Sequence, residues 1–199
     1  MKVGDKVTIV LLGASGSGKS TIEHELSEHH GFSKIVSYTT RKPRSNEENG
    51  KDYYFVDNET FNEILDMDLF AEHDEYSQNR LYGTLKSDYV DGNKVVVLTP
   101  NGLRQLKKNC HNDNIFTVLV EASLGTRIKR YIDRCNVNKF DFNDADEIFA
   151  RINRDFGMFL GLEKEVDIVI RNDEGDDIKE IVKEILECLE ERKMILKKL

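Results

Sequence analysis

A continuous run of β-branched and aliphatic residues covers 7–12, and short, largely apolar runs cover 94–99, 115–120 and 166–170. Runs of this kind predict strands buried on both faces, as in a parallel sheet. Between them lie segments whose apolar residues recur at helical spacing, over 19–30, 101–108, 124–134 and 145–163. The chain closes on an amphipathic helix with Ile178, Ile181, Val182, Ile185, Leu186 and Leu189 on one face. Its first turn is acidic and its end basic, which complements the helix dipole. Gly31 stops the first helix and Pro100 ends the 94–99 strand. Strands alternating with helices predict an α/β fold of three layers, a mostly parallel central sheet with helices on both faces.

Residues 35–87 break that rhythm. A strand is expected over 33–40 and a short helix over 60–66, with Thr60 as its cap. Residues 42–52 are polar, carry Pro43 and Gly50, and read as loop. This region reads as a substrate-binding insert. Residues 136–143 are polar with two phenylalanines and read as a mobile connection.

The length of 199 residues suits one compact α/β domain with a small inserted subdomain. A net charge of −8 argues against broad binding to nucleic acid, which needs a basic surface to neutralise phosphates. It leaves room for a small anion held by a local group of arginines. Cys110, Cys135 and Cys188 lack the spacing of a zinc or redox motif and suggest a reducing compartment, so a cytoplasmic location is expected. The apolar run near the N-terminus is too short to span a membrane, and no other segment is long and apolar enough. Oligomeric state is not legible.

Gly13-Ala14-Ser15-Gly16-Ser17-Gly18-Lys19-Ser20 matches the P-loop pattern G-x-x-x-x-G-K-S/T at every fixed position, between a buried strand and a helix start. Glycines let successive backbone N–H groups turn inward around a phosphate, and the next helix points its N-terminus at it. Lys19 would reach the β- and γ-phosphates of ATP, and the Ser20 hydroxyl would ligate Mg²⁺. With Thr21 these residues form the expected ATP-binding set.

A second stretch, Ser37-Tyr38-Thr39-Thr40-Arg41-Lys42-Pro43-Arg44, continues through Glu47, Gly50, Asp52, Tyr53 and Phe55. Two arginines three apart in a proline-stiffened loop can hold one phosphate through forked hydrogen bonds, and tyrosine hydroxyls add neutral donors. Further on come Phe70-Ala71-Glu72-His73 and Leu81-Tyr82-Gly83-Thr84. A carboxylate such as Glu72 accepts two hydrogen bonds side by side, which guanine offers from N1–H and its 2-amino group and adenine does not.

The run SYTTRKPR followed by E-x-x-G-K-D-Y-x-F resembles the guanylate kinase family, over nearly the whole chain. The resemblance implies a P-loop kinase fold with a monophosphate-binding insert and a helical lid, and transfer of the γ-phosphate of ATP to GMP or dGMP. It divides a single domain into a core at about 1–34, 88–124 and 164–199, an insert at about 35–87 and a lid at about 125–163. It places Arg41, Arg44, Tyr53 and Tyr82 on the acceptor phosphate and Ser37, Glu72 and Thr84 on the guanine. It assigns Arg130, Arg134 and Arg151 to the lid, with Arg154 a nearby substitute, and Asn172 to the adenine side. Lys19, Arg41, Arg130, Arg134 and Arg151 are then the catalytic set.

One departure stands out. The family carries acidic residues where this chain has Val97 and Thr99, and a glutamine where it has Asn101. Mg²⁺ would then rest on Ser20, the phosphates and water. Three alternatives to plain guanylate kinase activity follow: altered base specificity, a guanylate-kinase-like binding module without turnover, or a small P-loop kinase for another acceptor.

Overall fold

The computed structural model describes residues 6–44, 47–77, 80–110, 114–134 and 142–197. In chain order the elements are β1 (Thr8–Leu12), α1 (Lys19–His29), β2 (Ser33–Lys34), β3 (Tyr38–Thr39), β4 (Tyr54–Phe55), α2 (Asn58–Asp66), β5 (Phe70–Ser77) and β6 (Arg80–Leu85). They continue with β7 (Lys94–Val97), α3 (Pro100–Asn109), β8 (Ile115–Glu121), α4 (Leu124–Arg134), α5 (Phe142–Phe159), β9 (Ile168–Arg171) and α6 (Ile178–Leu196). One sheet has the order β2-β7-β1-β8-β9 and the other the order β4-β3-β6-β5. The expected mixed α/β architecture with a mostly parallel sheet is what forms: β2 runs parallel to β7 and β8 to β9. No helix among the described residues is long and apolar enough to cross a membrane.

The chain forms two compact units, Met1–Val10 with Gly31–Ile115 and Leu11–His30 with Phe116–Leu199. In the first unit the expected 33–40 strand is two strands in different sheets. Pairing with β7 ends where the Ile35 N–H bonds the Val95 carbonyl at 2.9 Å. The chain then joins the second sheet, where Tyr38 stacks on Tyr54 with ring centroids 4.8 Å apart. The hairpin of β5 and β6 escapes a hydrophobicity reading because Glu72, His73, Asp74 and Glu75 lie in it. It is antiparallel, with Glu72 opposite Thr84 and Asp74 opposite Tyr82. β5 is the edge of its sheet, and α3 covers it with amide side chains. Gln105 accepts the His73 N–H and donates to the His73 carbonyl, at 3.2 and 2.7 Å, and Asn109 donates to the Ala71 carbonyl at 3.0 Å. Edge backbone groups are thereby satisfied without another strand.

Capping refines the helix ends. Asp57, not Thr60, caps α2: its carboxylate accepts the Thr60 N–H at 2.8 Å. Pro100 starts α3, because its fixed φ suits the first helical position, and Thr99 caps it by accepting the Gly102 N–H at 3.0 Å.

In the second unit, α1 packs on α6, with Ile22 and Leu26 buried on one and Val182, Ile185 and Leu189 on the other. Each such side chain contributes roughly 2 kcal/mol of burial. α5 begins at Phe142 and stops before Gly161, whose φ of 80° leads into a 3-10 turn with Leu162 buried. The earlier part of the expected 136–143 connection lies outside the described residues. β9 starts at Ile168 instead of Val166 because Asp167 is engaged ahead of it. Its carboxylate accepts the Thr117 N–H and hydroxyl, each at 2.7 Å.

Candidate active site

The phosphate cradle belongs to the second unit. Gly13, Gly16 and Gly18 adopt φ of 142°, 82° and 96°, a path that side chains oppose. A Cβ on Gly13 would overlap the Val120 carbonyl, and one on Gly18 the Asn172 amide. Lys19 Nζ donates to the carbonyls of Gly13 at 2.7 Å and Ala14 at 3.0 Å. Burial pushes its pKa down to about 8; Asp155 opposes that shift and Arg127 and Arg134 add to it. Ser20 and Thr21 are exposed on the first turn of α1.

The arginines of α4 brace this loop. Arg130 donates to the Gly16 carbonyl at 3.1 Å and to the backbone and side-chain oxygens of Asn172 at 3.0 and 3.1 Å. Asn172, 4% exposed, donates to the Ser17 carbonyl at 2.9 Å. Arg134 donates from Nε to the Arg130 carbonyl at 3.0 Å, and Arg151 lies over the Tyr131 ring at 5.4 Å.

Two participants were not anticipated. Arg127 donates to the Ser15 carbonyl at 2.8 Å and to Asp155 at 2.9 Å. Asp155, 1% exposed, accepts the Ser15 N–H at 2.7 Å. One N–H of the anion cradle is thus held by a carboxylate from α5. Arg127 sits three residues before Arg130, a helical spacing that was available as a signal. Nothing in the local sequence announces Asp155.

The residues expected to hold the acceptor lie in the first unit. Arg41 forms a two-point pair with Glu47, 2.8 Å on each arm. Its guanidinium also lies 5.2 Å from the Tyr53 ring centre and 5.6 Å from that of Phe55. Burial works against its charge, but Glu47 and Tyr82 outweigh this and hold its pKa above the usual arginine value. Glu47 also accepts the Arg44 N–H at 2.8 Å, and the Arg44 guanidinium stands 3.6 Å from it. The Glu47 pKa is lowered by these partners despite its burial. Tyr53 and Tyr82 meet edge to face at 5.9 Å. The structure therefore gathers Arg44, Tyr53 and Tyr82 about the Arg41–Glu47 pair, and Glu47 is a partner that the pattern E-x-x-G-K-D-Y-x-F contained without revealing its job.

Glu72 is 3% exposed and lies beside α3. Thr84 donates to its Oε1 at 2.8 Å, and the same hydroxyl shares a 2.7 Å hydrogen bond with Tyr89. A Cβ at Gly102 would come within 2.6 Å of Glu72 Oε2, so the glycine leaves that oxygen room. Burial first, then the nearby Asp74 charge, raises the Glu72 pKa to about 7, against the hydrogen bond from Thr84. Ser37 is half-buried just before β3, and its carbonyl accepts the Tyr54 N–H at 2.9 Å. Thr99, in the place where the resemblance leads one to expect an acid, donates to Asp74 at 2.5 Å, and Asn101 donates to the same carboxylate at 3.0 Å.

The family model and the sequence relatives agree with one another. The family model described as guanylate kinase matches residues 5–189. A guanylate kinase of Lactobacillus johnsonii is 31% identical over 187 residues, covering 90% of this chain and 87% of that protein. A guanylate kinase of Sus scrofa is 45% identical over 115 residues, 53% of this chain. That match spans only 57% of the Sus scrofa protein's length. The crystal structure of guanylate kinase from Anaplasma phagocytophilum superposes with a TM-score of 0.70 at 25% identity, over 95% of this chain and 87% of that one. The chain belongs to the guanylate kinase family.

Proposed function

We propose that this protein transfers the γ-phosphate of ATP to GMP or dGMP, giving ADP and GDP or dGDP. The observation that carries the acceptor's identity is the buried Glu72 carboxylate, with one oxygen bonded by Thr84 and the other left room by Gly102. An ionised Glu72 accepts N1–H and one amino hydrogen of guanine, while Ser37 and Thr84 contact the same base. Adenine offers no such pair and would leave a buried carboxylate unmatched, at about 1–3 kcal/mol or more.

Arg41, Arg44, Tyr53 and Tyr82 hold the acceptor phosphate, with Glu47 fixing the Arg41 fork. Gly13 to Thr21 wrap the ATP phosphates, Lys19 neutralises their charge, and Asn172 serves the adenine side. Arg130, Arg134 and Arg151 stabilise the charge of the transferring group and help to exclude water. Transfer is direct and in line, because positioning and charge stabilisation suffice without a covalent intermediate. Among the described residues no group of three His, Cys, Asp or Glu is disposed to hold a metal, and Ser20 offers one exposed hydroxyl. Such a donor set fits Mg²⁺ that arrives with ATP; when bound it would neutralise phosphate charge beside Ser20. The core, the insert at about 35–87 and the lid at about 125–163 divide these tasks, and the substrates are nucleotides in the cytoplasm, with neither nucleic acid nor membrane required.

One observation favours a second reading, a nucleotide-binding module without turnover: Asp155 holds the Ser15 N–H of the cradle. A coupled assay with ATP, Mg²⁺ and GMP, dGMP, AMP, UMP or CMP separates the two. The kinase reading expects ADP release with GMP or dGMP well above that with the other acceptors. ADP release no higher than the ATPase background with every monophosphate would sink it. Equal turnover with AMP and GMP would sink the role of Glu72.

A further inference from the structure

The geometry points to Asp74 as a specificity-determining residue that accepts the second amino hydrogen of a guanine held by Glu72. This assignment rests on the guanylate kinase reading and deepens it. Glu72 and Asp74 are two apart on β5 with regular pairing to β6, so both side chains leave the same face as Thr84 and Tyr82. The Tyr82 ring in turn meets Tyr53 edge to face at 5.9 Å.

Chemistry defines what is missing there. Guanine's 2-amino group carries two hydrogens, and Glu72 satisfies one of them together with N1–H. The other points past Glu72 and needs its own acceptor, since an amino hydrogen left unmatched on removal from water is costly. Asp74 is the carboxylate next along the strand. Its Oδ1 accepts from Asn101 and from the Glu75 N–H, each at 3.0 Å, and its Oδ2 accepts from Thr99 at 2.5 Å. A carboxylate oxygen takes two hydrogen bonds, so Oδ2 keeps capacity for one more.

The carboxylate is also aimed. The Thr99 hydroxyl donates to Asp74 while it accepts the Gly102 N–H, which fixes its direction. A Cβ on Gly102 would meet Glu72 Oε2 at 2.6 Å and Thr99 Oγ1 at 3.3 Å. The oxygen that anchors Asp74 and the oxygen that would receive guanine therefore converge on one glycine. α3 supplies neutral donors, Thr99 and Asn101, and β5 supplies the negative charge. Asp74 makes up for the missing acid at Thr99 by delivering a carboxylate from the facing strand.

The test compares GMP with inosine monophosphate, which keeps N1–H but lacks the 2-amino group. In the full chain, Asp74→Ala is expected to lower kcat/KM for GMP at least about tenfold and that for inosine monophosphate by less than about twofold. Asp74→Asn, which keeps a neutral acceptor, should fall between. Calorimetric affinities for the two nucleotides should show the same change in ratio. A purely structural Asp74 would move both nucleotides equally, and that result, or no change with either, overturns the assignment. If Asp74→Ala does not fold, the comparison is decided on Asp74→Asn. Failure of the kinase reading looks different: the unaltered chain would then not turn over GMP, and the ratio of the two affinities would still decide Asp74. Absence of GMP binding by the unaltered chain overturns both.

Discussion

Glu72 carries opposite demands in the free and the occupied protein. Without a base, burial and the adjacent Asp74 charge favour its neutral form, raising its pKa to about 7 from 4.5. Its neighbours Thr84 and Tyr89 are neutral, and burial pushes the ionisation of Tyr89 well up. Between pH 4.5 and 7 the folded state binds a proton that the unfolded state has released, so stability falls as pH rises through that window. The full cost above it is about 3 kcal/mol. Glu72→Gln should therefore raise the melting temperature at pH 8 and change it little at pH 4.5, as thermal denaturation at both values would show. The proposed guanine contact needs the ionised form, so KM for GMP should rise as pH drops below about 7. A Glu72→Gln variant that retained the whole of that rise would refute the assignment, because only titration of the GMP phosphate should remain. Glu72, Arg41 and Lys19 stood out as candidates in the sequence because each sits in a short pattern with a recognisable chemistry. Asp74 and Arg127 did not, since what they touch is set by strand pairing and helix placement.

Elements decide where such long-range partners meet. Asp155 lies 140 residues from Ser15 along the chain, yet α5 brings its carboxylate to the loop backbone and to Arg127. No periodicity encodes that contact, whereas the continuous runs of β1 and β8 declare their burial directly. The β5–β6 hairpin failed to show for a related reason: its alternate positions are spent on polar side chains such as Glu72, Asp74, Tyr82 and Thr84 instead of apolar ones. The Asp155 contact makes a prediction about α5. A carboxylate at a cradle N–H repels an incoming phosphate, so ATP must displace it or bind beside it. Asp155→Asn keeps a neutral acceptor for the Ser15 N–H and removes the repulsion, so KM for ATP is expected to fall several-fold. The half-buried Arg127 loses its ion pair, which should cost about 1–3 kcal/mol of stability in urea denaturation. An unchanged or higher KM for ATP would show that the carboxylate orders the loop for nucleotide instead of competing with it.

At the scale of the whole molecule, the residues proposed for the two substrates belong to different compact units. The residues assigned to GMP fall in Gly31–Ile115, and the P-loop, Arg130 and Asn172 fall in Leu11–His30 and Phe116–Leu199. A ligand at a hundred times its dissociation constant stabilises what it binds by about 2.7 kcal/mol. Amide exchange reads such stabilisation segment by segment, because compact units open as cooperative blocks. GMP should therefore slow exchange chiefly in β5, β6 and α3, and an adenine nucleotide with Mg²⁺ chiefly in α1 and α4. Lys19→Ala separates the two effects. Lys19 Nζ donates to loop carbonyls in the second unit, at 2.7 and 3.0 Å, and among the described residues no hydrogen bond joins it to a residue assigned to GMP. The variant should lose phosphoryl transfer by at least about a hundredfold, the scale for removing one charge-stabilising group. It should also lose protection by the adenine nucleotide while keeping the GMP pattern and the GMP affinity. A GMP affinity that fell in step with transfer would mean that Lys19 serves the acceptor as well, and the division of labour between the two units would have to be abandoned.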